Sequence, residues 1–316
     1  MLHQGAESIV GSRKYWIALA GAHGAGPALL RDVHQALVRL GISITDAFDL
    51  TQSELERELE LSPAGAAVVH GARARLDAVE SEYFALLDAG VEIVLFFEES
   101  YPQRLTTVLG GHLPPVLYCY GNRALLNQKA AAVLGEKQAS EKGEMIAYLA
   151  AKELAAHQVV VVSGFARGID LIAHRGALEN GGTTVAVLPY GFSHLAVPES
   201  LRDVLNPDAL LLVSPFEFER EYTQFNAMKR NKLACALSRA VYIVEAPAEG
   251  GIFEAGKSAR TLGVPLYVTE YSEYPASAAG NPALMSEYAA IPVRGRVAGG
   301  VLSPNLDRLL GDVKFS

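Results

Sequence analysis

The sequence predicts an α/β domain built on a doubly wound, mainly parallel sheet, preceded by a small all-helical domain. Three observations support this prediction. Residues 159–162 are four consecutive valines, and such a run of β-branched residues is typical of a strand buried on both faces of a parallel sheet. Gly164 and Gly168 mark a turn after the run, and residues that suit a helix continue as far as Gly181. A second apolar run at residues 184–188 completes a strand–helix–strand unit with a right-handed crossover.

Residues 1–82 are predicted to form the helical domain, of the SAM-like or helix-hairpin-helix-like kind. Apolar segments at residues 15–20 and 28–33 flank a glycine-rich hinge at residues 21–27. The backbone amides of such a hinge can grip a phosphate, but a plain corner between two helices explains the same residues. We favour the plain corner because lysine and arginine are sparse around the hinge. Residues 52–61 are predicted to form a further helix with an acidic, solvated face.

Short strands alternate with helices from residue 91 onward, which indicates a doubly wound sheet. Strands are predicted at residues 91–97, 116–120, 130–134, 159–163, 184–188, 210–214, 241–245 and 265–269, and helices at residues 144–156, 169–178, 227–238 and 253–262. Residues 271–283 are predicted to be a loop. We therefore assign residues 83–294 to an extended Rossmann-like domain and residues 295–316 to a short C-terminal tail. Ligands of such sheets bind outside the carboxyl ends of the strands.

Composition limits the class of protein. The chain has 316 residues and a formal net charge of −8, which argues against indiscriminate binding to polyanions and requires a local basic patch for any nucleic-acid contact. No apolar run approaches the ~20 residues of a membrane span, and the first residues lack the pattern of a signal peptide. Cys119 and Cys235 lie in apolar surroundings and are expected to be buried, reduced thiols. We therefore expect a cytoplasmic protein without membrane contact.

The turn at residues 163–168 is a candidate phosphate site. Its backbone amides precede the positive N-terminus of a helix, which favours an anion. Ser163 and Gly164 are expected to contact the phosphate through a hydroxyl and amides, while Arg167 either contacts it or braces the turn. The spacing departs from the G-x-G-x-x-G fingerprint, and no acidic residue ends the next strand. A nicotinamide cofactor is therefore not expected.

Two further residues of the following helix are predicted to support the fold. Asp170 is expected to cap the helix or to pair with Arg167. His174 lies among apolar residues and is expected to be a packed core histidine rather than a catalytic one.

A local basic run follows the sixth predicted strand of the alternating region. Residues 222–239 contain no acid and include Lys229, Arg230 and Lys232, so this segment is the best electrostatic candidate for a polyanion contact. An ordinary solvated helix face remains the alternative. Tyr222 and Phe225 precede the run and either stack on exposed bases or belong to the core.

Several motifs resemble those of the DNA processing protein (DprA/Smf) family. Residues 163–170, S-G-F-A-R-G-I-D, resemble the family signature S-G-x-A-R-G-I-D, and residues 230–232 with Leu237-Ser238 resemble its basic R-N-R…L-S motif. Matching segments also occur at residues 101–105, 114–118, 121–122, 185–188, 191–192 and 240–245. The resemblance extends over roughly residues 15–293. Many family members continue into a winged-helix domain, for which the residues after 293 are too few.

The resemblance implies a cytosolic single-stranded DNA-binding protein that forms a homodimer and loads the RecA recombinase in natural transformation or recombination. With the basic run, it implies DNA contacts at the carboxyl edge of the sheet. The candidate DNA- and phosphate-binding residues are Lys137, Ser163, Gly164, Phe165, Arg167, Gly168, Lys229, Arg230, Asn231 and Lys232. No catalytic residue, metal site or cofactor is expected, and the protein is predicted not to be an enzyme.

One departure from the family pattern lies at the end of the 130–134 strand. Where the family has G-S-R, this chain has Gly135-Glu136-Lys137. Lys137 keeps a positive charge but loses the bidentate geometry of arginine, and the carboxylate of Glu136 would repel a phosphate. A surface lysine paired with Glu136 or Glu141 is the alternative to a phosphate contact.

A secondary glycine turn supports an alternative function. Gly250, Gly251 and Glu254 resemble, incompletely, the P-G-G-x-G-T-x-x-E motif of LOG-type nucleotide phosphoribohydrolases. The second glycine-threonine step is absent, and Glu254 stands too early. A nucleotide-binding sensor or nucleotide hydrolase is therefore the minority interpretation.

Overall fold

Helices come first along the chain and alternating strands and helices follow, as the sequence predicts. The computed structural model describes residues 2–298 and 301–315. They divide into two units: the chain up to Tyr101 with Gly110–Tyr118 and Pro215–Phe218, and the remainder, which comprises Pro102–Leu109, Cys119–Ser214 and the chain from Glu219 onward. The predicted domain boundaries at residues 82 and 294 stay predictions.

The first unit is mainly helical. The residues that start its helices and the apolar residues along them lie close together in the sequence. Its elements are α1 (Leu2–Ala20), α2 (Pro27–Leu40), α3 (Ile44–Asp49), α4 (Gln52–Glu58), α5 (Pro63–Gly71), α6 (Leu76–Asp88) and β1 (Glu92–Leu95). Pro27 begins α2 directly after the glycine-rich hinge, as expected for a residue that lacks an N–H and fixes φ. Ser43 and Thr51 form capping boxes at the starts of α3 and α4. The helical prediction for this part of the chain is confirmed.

The second unit contains the alternating elements. They are α7 (Gln103–Leu109), β2 (Val116–Gly121), β3 (Ala130–Leu134), α8 (Glu141–Ala156), β4 (Val160–Ser163), α9 (Ile169–Glu179), β5 (Thr184–Val187), β6 (Leu210–Ser214), α10 (Gln224–Leu237), β7 (Ala240–Ile243), α11 (Gly251–Thr261), β8 (Leu266–Thr269), α12 (Asn281–Tyr288), β9 (Ile291–Val293), β10 (Gly295–Ala298), β11 (Val301–Pro304) and α13 (Asp307–Phe315). The first residues of β2 belong to the first unit. Every strand predicted between residues 116 and 269 is present.

The sheet of the second unit confirms the predicted doubly wound architecture. Its strand order is β2-β6-β5-β4-β3-β7-β8-β9, and every neighbouring pair from β6 to β9 is parallel. The chain moves from β3 to β6 in one direction and then returns to the other side of β3 for β7. The carboxyl ends of β3 and β7 therefore flank the topological switch point, where doubly wound sheets bind ligands.

The core of the second unit lies between this sheet and its helices. β3 and β4 contribute Ala131, Val133 and Val161, which pack with α8, α9 and α13. The 160–163 strand is buried at every position, as the valine run predicts. Cys119 and Cys235 are both buried, which confirms the predicted burial of the two thiols, whereas their reduced state stays a prediction.

The region near the C-terminus contains more regular structure than the sequence predicts. The predicted loop at residues 271–283 is wrong at its end, because α12 begins at Asn281. The buried side chain of Asn281 accepts a hydrogen bond from the Ala246 amide and donates to Val244 O and Thr269 O. These long-range hydrogen bonds cannot be predicted from the periodicity of the sequence. Residues 295–316, predicted as a tail, include the paired strands β10 and β11 and the helix α13.

Within residues 2–298 and 301–315, no helix is long and apolar enough to cross a bilayer.

Candidate nucleic-acid interface

The glycine turn after β4 is held against the loop that follows β3. Ser163 Oγ donates to Val133 O at 2.6 Å. Gly168 has a φ of 76°, and a Cβ there would lie 2.5 Å from the carbonyl oxygens of both Glu136 and Lys137. Only glycine fits this position, for reasons of backbone conformation and of space.

The same turn leaves backbone amides available to a ligand. The Ala166 amide donates to Asp170 Oδ2 at 3.4 Å, and the Ile169 amide donates to Glu136 O at 3.4 Å. Across residues 2–298 and 301–315, the amides of Phe165, Arg167 and Gly168 have no hydrogen-bond acceptor. They precede the N-terminus of the 11-residue helix α9, an arrangement that favours an anion; binding of a phosphate at this turn stays a prediction.

A buried ion pair between Arg230 and Asp170 supports this turn. Arg230 Nη1 lies 3.0 Å from Asp170 Oδ2, and the two side chains are only 5% and 2% exposed. Gly164 leaves room for the guanidinium, because a Cβ there would lie 1.1 Å from Arg230 Nη1. Within the part of the chain that the structure describes, Arg230 Nε and Asp170 Oδ1 are buried without a hydrogen-bond partner.

Two sequence predictions are corrected by this pair. Arg230 was expected to be an exposed charge of the basic run, but the charge is buried because Asp170 offers a partner in the core. Asp170 has the expected scaffold role, but its side chain pairs with Arg230 instead of Arg167 and does not cap α9.

His174 fixes the turn from the opposite side, as a packed core residue. It is fully buried, with Nε2 at 2.5 Å from Gly164 O and Nδ1 at 2.6 Å from Thr184 Oγ1. Burial lowers the pKa of His174. Because a carbonyl only accepts, Nε2 of the neutral ring carries the proton and donates it to Gly164 O. The prediction of a core histidine is confirmed.

A cavity of about 570 Å³ opens beside the turn, at the carboxyl edge of the sheet. Its lining residues are Lys137, Gln138, Phe165, Ala166, Arg167, Pro189, Tyr190, Tyr222 and Arg230. Four of the predicted site residues, Lys137, Phe165, Arg167 and Arg230, are therefore brought together. The cavity combines cations, aromatic rings and the unpaired amides of the turn.

Lys137 lies at this cavity in contact with an aromatic ring. Its Nζ is 3.4 Å from the Tyr222 hydroxyl and 5.5 Å from the centroid of the Tyr222 ring. Neither Glu136 nor Glu141 forms the ion pair with Lys137 that the alternative interpretation required, as far as the described residues show. Both residues of the Lys137–Tyr222 contact are exposed, so a ligand can reach them.

Three further residues, Gln138, Pro189 and Tyr190, line the cavity and are absent from the site predicted from the sequence. Pro189 and Tyr190 directly follow the apolar run that forms β5, and the carboxyl ends of parallel strands meet at one edge. That position is the signal that would have found them. Burial raises the pKa of the Tyr190 hydroxyl, which keeps it a neutral donor.

Some side chains of the basic run on α10 are exposed and others are buried. Lys229 is exposed, with Nζ 4.5 Å from the centroid of the Phe225 ring, and the Phe225 side chain is 63% exposed. Lys232 is half-buried, whereas Asn231 is buried and donates from Nδ2 to Gly251 O at 3.1 Å. None of these four residues lines the cavity.

The secondary turn lies apart from the cavity lining. Gly250 has a φ of 110° and Gly251 begins α11. Glu254 pairs with Lys257, whose Nζ is 2.7 Å from its carboxylate. The three predicted residues Gly250, Gly251 and Glu254 therefore lie together at the start of α11, outside the cavity.

Among the described residues, no group of three or more His, Cys, Asp or Glu side chains is placed to hold a metal ion.

Known proteins with similar sequences include several described as DNA processing protein DprA. The curated DNA processing protein DprA of Streptococcus pneumoniae (strain ATCC BAA-255 / R6) is 31% identical over 156 residues, which are 49% of this chain and 54% of that protein. The putative DNA processing protein DprA of Mycobacterium tuberculosis (strain CDC 1551 / Oshkosh) is 32% identical over 206 residues, 61% of this chain and 53% of that protein. The chain thus spans about half the length of these curated relatives.

Solved structures show the same fold. The X-ray structure of DNA processing protein A from S. pneumoniae matches with a TM-score of 0.68 at 22% identity, covering 91% of this chain and 95% of that one. DNA processing protein A from Helicobacter pylori, whose structure was described for its single-stranded DNA binding mode, matches with a TM-score of 0.54 at 22% identity, over 64% and 90% of the chains.

The family model covers the site described above. The model of the family described as DNA recombination-mediator protein A matches residues 92–296, nearly two thirds of the chain, including the β3 and β4 loops and α10. The chain therefore belongs to the DNA recombination-mediator protein A family, as the motifs at residues 163–170 and 230–232 indicate.

Proposed function

We propose that this protein binds single-stranded DNA at the carboxyl edge of its sheet and acts as a binding protein rather than an enzyme. The cavity beside the glycine turn is the observation that carries the proposal. It places the cations Lys137 and Arg167 next to the unpaired amides of the turn and to the rings of Phe165 and Tyr222. Phosphate contacts combined with base stacking are the means by which proteins bind single strands without sequence preference.

A path for the strand beyond the cavity is suggested by the start of α10. Phe225 and Lys229 are exposed and packed against each other, so one ring and one cation are available close to Tyr222 in the chain. Arg230 and Asn231 are buried and support the interface from within. Although the protein is acidic, with a net charge of −8, it presents exposed cations and aromatic rings along this proposed path.

The biological role that we propose follows from the family. The protein processes single-stranded DNA in natural transformation or recombination, forms a homodimer and delivers the strand to the RecA recombinase in the cytoplasm. Support comes from the family membership and from the relatives described as DNA processing proteins.

The test is a titration of the purified protein with labelled oligo-dT at several salt concentrations. Three to five phosphate contacts, each adding about −0.7 to the slope of log affinity against log salt, predict a slope of roughly −2 to −3.5. Lys137→Ala and Arg167→Ala should each weaken binding and make the slope shallower by about 0.7. Lys152→Ala, an exposed lysine on α8 outside the cavity, is the matched control and should change neither quantity.

A parallel incubation with nucleoside monophosphates separates this proposal from the nucleotide hydrolase alternative. We expect no release of free base. A flat salt slope, no binding of oligo-dT at low salt, or catalytic base release would each overturn the proposed function.

A further inference from the structure

A buried carboxylate occupies the switch point of the sheet. Glu245 follows β7, next to the loop that joins β3 to α8, and its side chain is 0% exposed. In the doubly wound order seen here, the crevice between these two loops is where a ligand's phosphate normally meets a helix N-terminus. Glu245 is therefore placed where an anion would bind.

The carboxylate makes the contacts that a bound anion would make. Glu245 Oε2 accepts from the Ser140 amide at 2.9 Å, and Oε1 accepts from Ser140 Oγ at 2.5 Å and from the Tyr271 hydroxyl at 2.8 Å. Ser140 is the N-cap of α8, and its hydroxyl oxygen accepts from the Gly143 amide at 3.0 Å. Burial, and next the charge of Glu245, raise the pKa of Tyr271, so the phenol remains a donor.

The crevice has no room for a second anion. A Cβ built on Gly143 would lie 2.4 Å from the carboxyl carbon of Glu245, so the side chain fills the space against the backbone of α8. A phosphate could enter only by displacing Glu245 from three hydrogen bonds.

Glu245 also holds both ends of the loop that carries Lys137. Its backbone carbonyl accepts from the Glu136 amide at 3.0 Å, while its side chain holds Ser140 at the other end. Between these two anchors, Lys137 and Gln138 line the cavity. A single residue thus fixes the loop at its start and at its end.

We propose that Glu245 is a positioning residue for DNA binding, which closes the β3–β7 crevice to phosphate and holds Lys137 at the mouth of the neighbouring cavity. The inference rests on the proposed function and adds to it the residue that determines where the anion binds. Phosphate is directed to the turn after β4 because the helix start after β3 already has its anion.

The test is the variant Glu245→Gln, measured by the same oligo-dT titration. The amide keeps the size of the side chain, and its oxygen can still accept at one of the two carboxylate positions. Its NH₂ group cannot accept at the other position, so Glu245→Gln loses either the bond from the Ser140 amide or the two bonds from the hydroxyls of Ser140 and Tyr271. Removing a negative charge near a polyanion would by itself tighten binding, whereas loss of positioning weakens it. We expect about fivefold weaker binding, the effect of one lost surface phosphate contact, and a salt slope as shallow as that of Lys137→Ala.

A double variant separates positioning from a general loss of structure. Glu245→Gln with Lys137→Ala should bind as Lys137→Ala alone does, since the contact that Glu245 positions is already gone. Hydrogen exchange of the Glu136 and Ser140 amides gives a readout without DNA, and Glu245→Gln should speed both. If Glu245→Gln does not fold, Tyr271→Phe removes one of the three bonds and should weaken binding in the same direction.

Each outcome decides the inference. Tighter or unchanged binding by Glu245→Gln, additive losses in the double variant, or unchanged exchange of both amides would overturn it while the proposed function stands. If the wild-type protein does not bind oligo-dT, or Lys137→Ala binds as tightly as the wild type, the proposed function fails and the inference fails with it.

Discussion

Replacing Arg230 by methionine should destabilise the second unit strongly, although Arg230 belongs to what the sequence presents as a surface basic run. The guanidinium lies 3.0 Å from the Asp170 carboxylate, with side-chain exposures of 5% and 2%. Methionine keeps much of the volume and removes the charge. The carboxylate of Asp170 would then be buried without its cation.

The expected loss is about 3–5 kcal/mol of unfolding free energy, the usual cost of removing one partner of a buried ion pair. The Coulomb energy at 3.0 Å is about 5–6 kcal/mol at an effective dielectric constant of 20, which is of the same order before desolvation is subtracted. Among the described residues Asp170 Oδ1 has no partner, and after the change Oδ2 would keep only the long 3.4 Å bond from the Ala166 amide, which compensates little for the lost cation. The loss is a large part of a typical stability of about 5–15 kcal/mol.

The assay is urea unfolding followed by circular dichroism, with the fluorescence of Trp16, the single tryptophan, as a separate signal from the first unit. Lys229→Ala, the exposed neighbour on α10, is the matched control and should change the free energy by no more than about 0.5 kcal/mol. Asp170→Ala combined with Arg230→Met should cost less than the sum of the two single changes. If Arg230→Met costs no more than the control, the buried pair does not stabilise the fold and the reasoning is refuted.

Three further predictions concern the same turn. Glu136→Ser should tighten oligo-dT binding several-fold, because a repulsive surface charge costs about 1 kcal/mol; equal affinity would show that this carboxylate does not face the DNA. Gly164→Ala should lower the unfolding free energy measured in urea, because its Cβ would lie 1.1 Å from Arg230 Nη1, while Gly311→Ala, with open space around it, should not. Burial lowers the pKa of His174 from its ordinary 6.5. The free energy of unfolding should therefore be highest above pH 6.5 and should fall as the pH falls below it, by at most about 1.4 kcal/mol per pH unit. His174→Gln should make the same pH series flatter, and an equal slope in both proteins would contradict the assignment.

The fold class follows from local patterns in the sequence. Residues 159–162 predict a strand buried on both faces, and β4 is buried at every position. Gly168 predicts a turn, and its φ of 76° makes glycine the residue that fits. Alternating strands and helices then restrict the sheet to a mainly parallel one, because parallel strands need crossover helices. Such features depend on residues that are close together in the chain, so periodicity and turn chemistry reveal them.

Only the tertiary structure decides which polar side chains of these elements face inward. The segment that forms α10 is basic in sequence, yet Arg230 is buried and Lys229 is exposed. Arg230 is buried because it pairs with Asp170, which lies 60 positions earlier in the chain and reaches Arg230 only after β3, β4 and α10 are packed. Glu245 reads as the last residue of a buried strand, and its contact with Ser140 exists because β7 pairs with β3 across the switch point. Strand order and long-range pairing place one charge beside another, and neither produces a periodic pattern of residues that could be recognised in the sequence. For that reason the sequence identifies the glycine turn as the candidate phosphate site, and the packed sheet decides which cations and which carboxylate surround it.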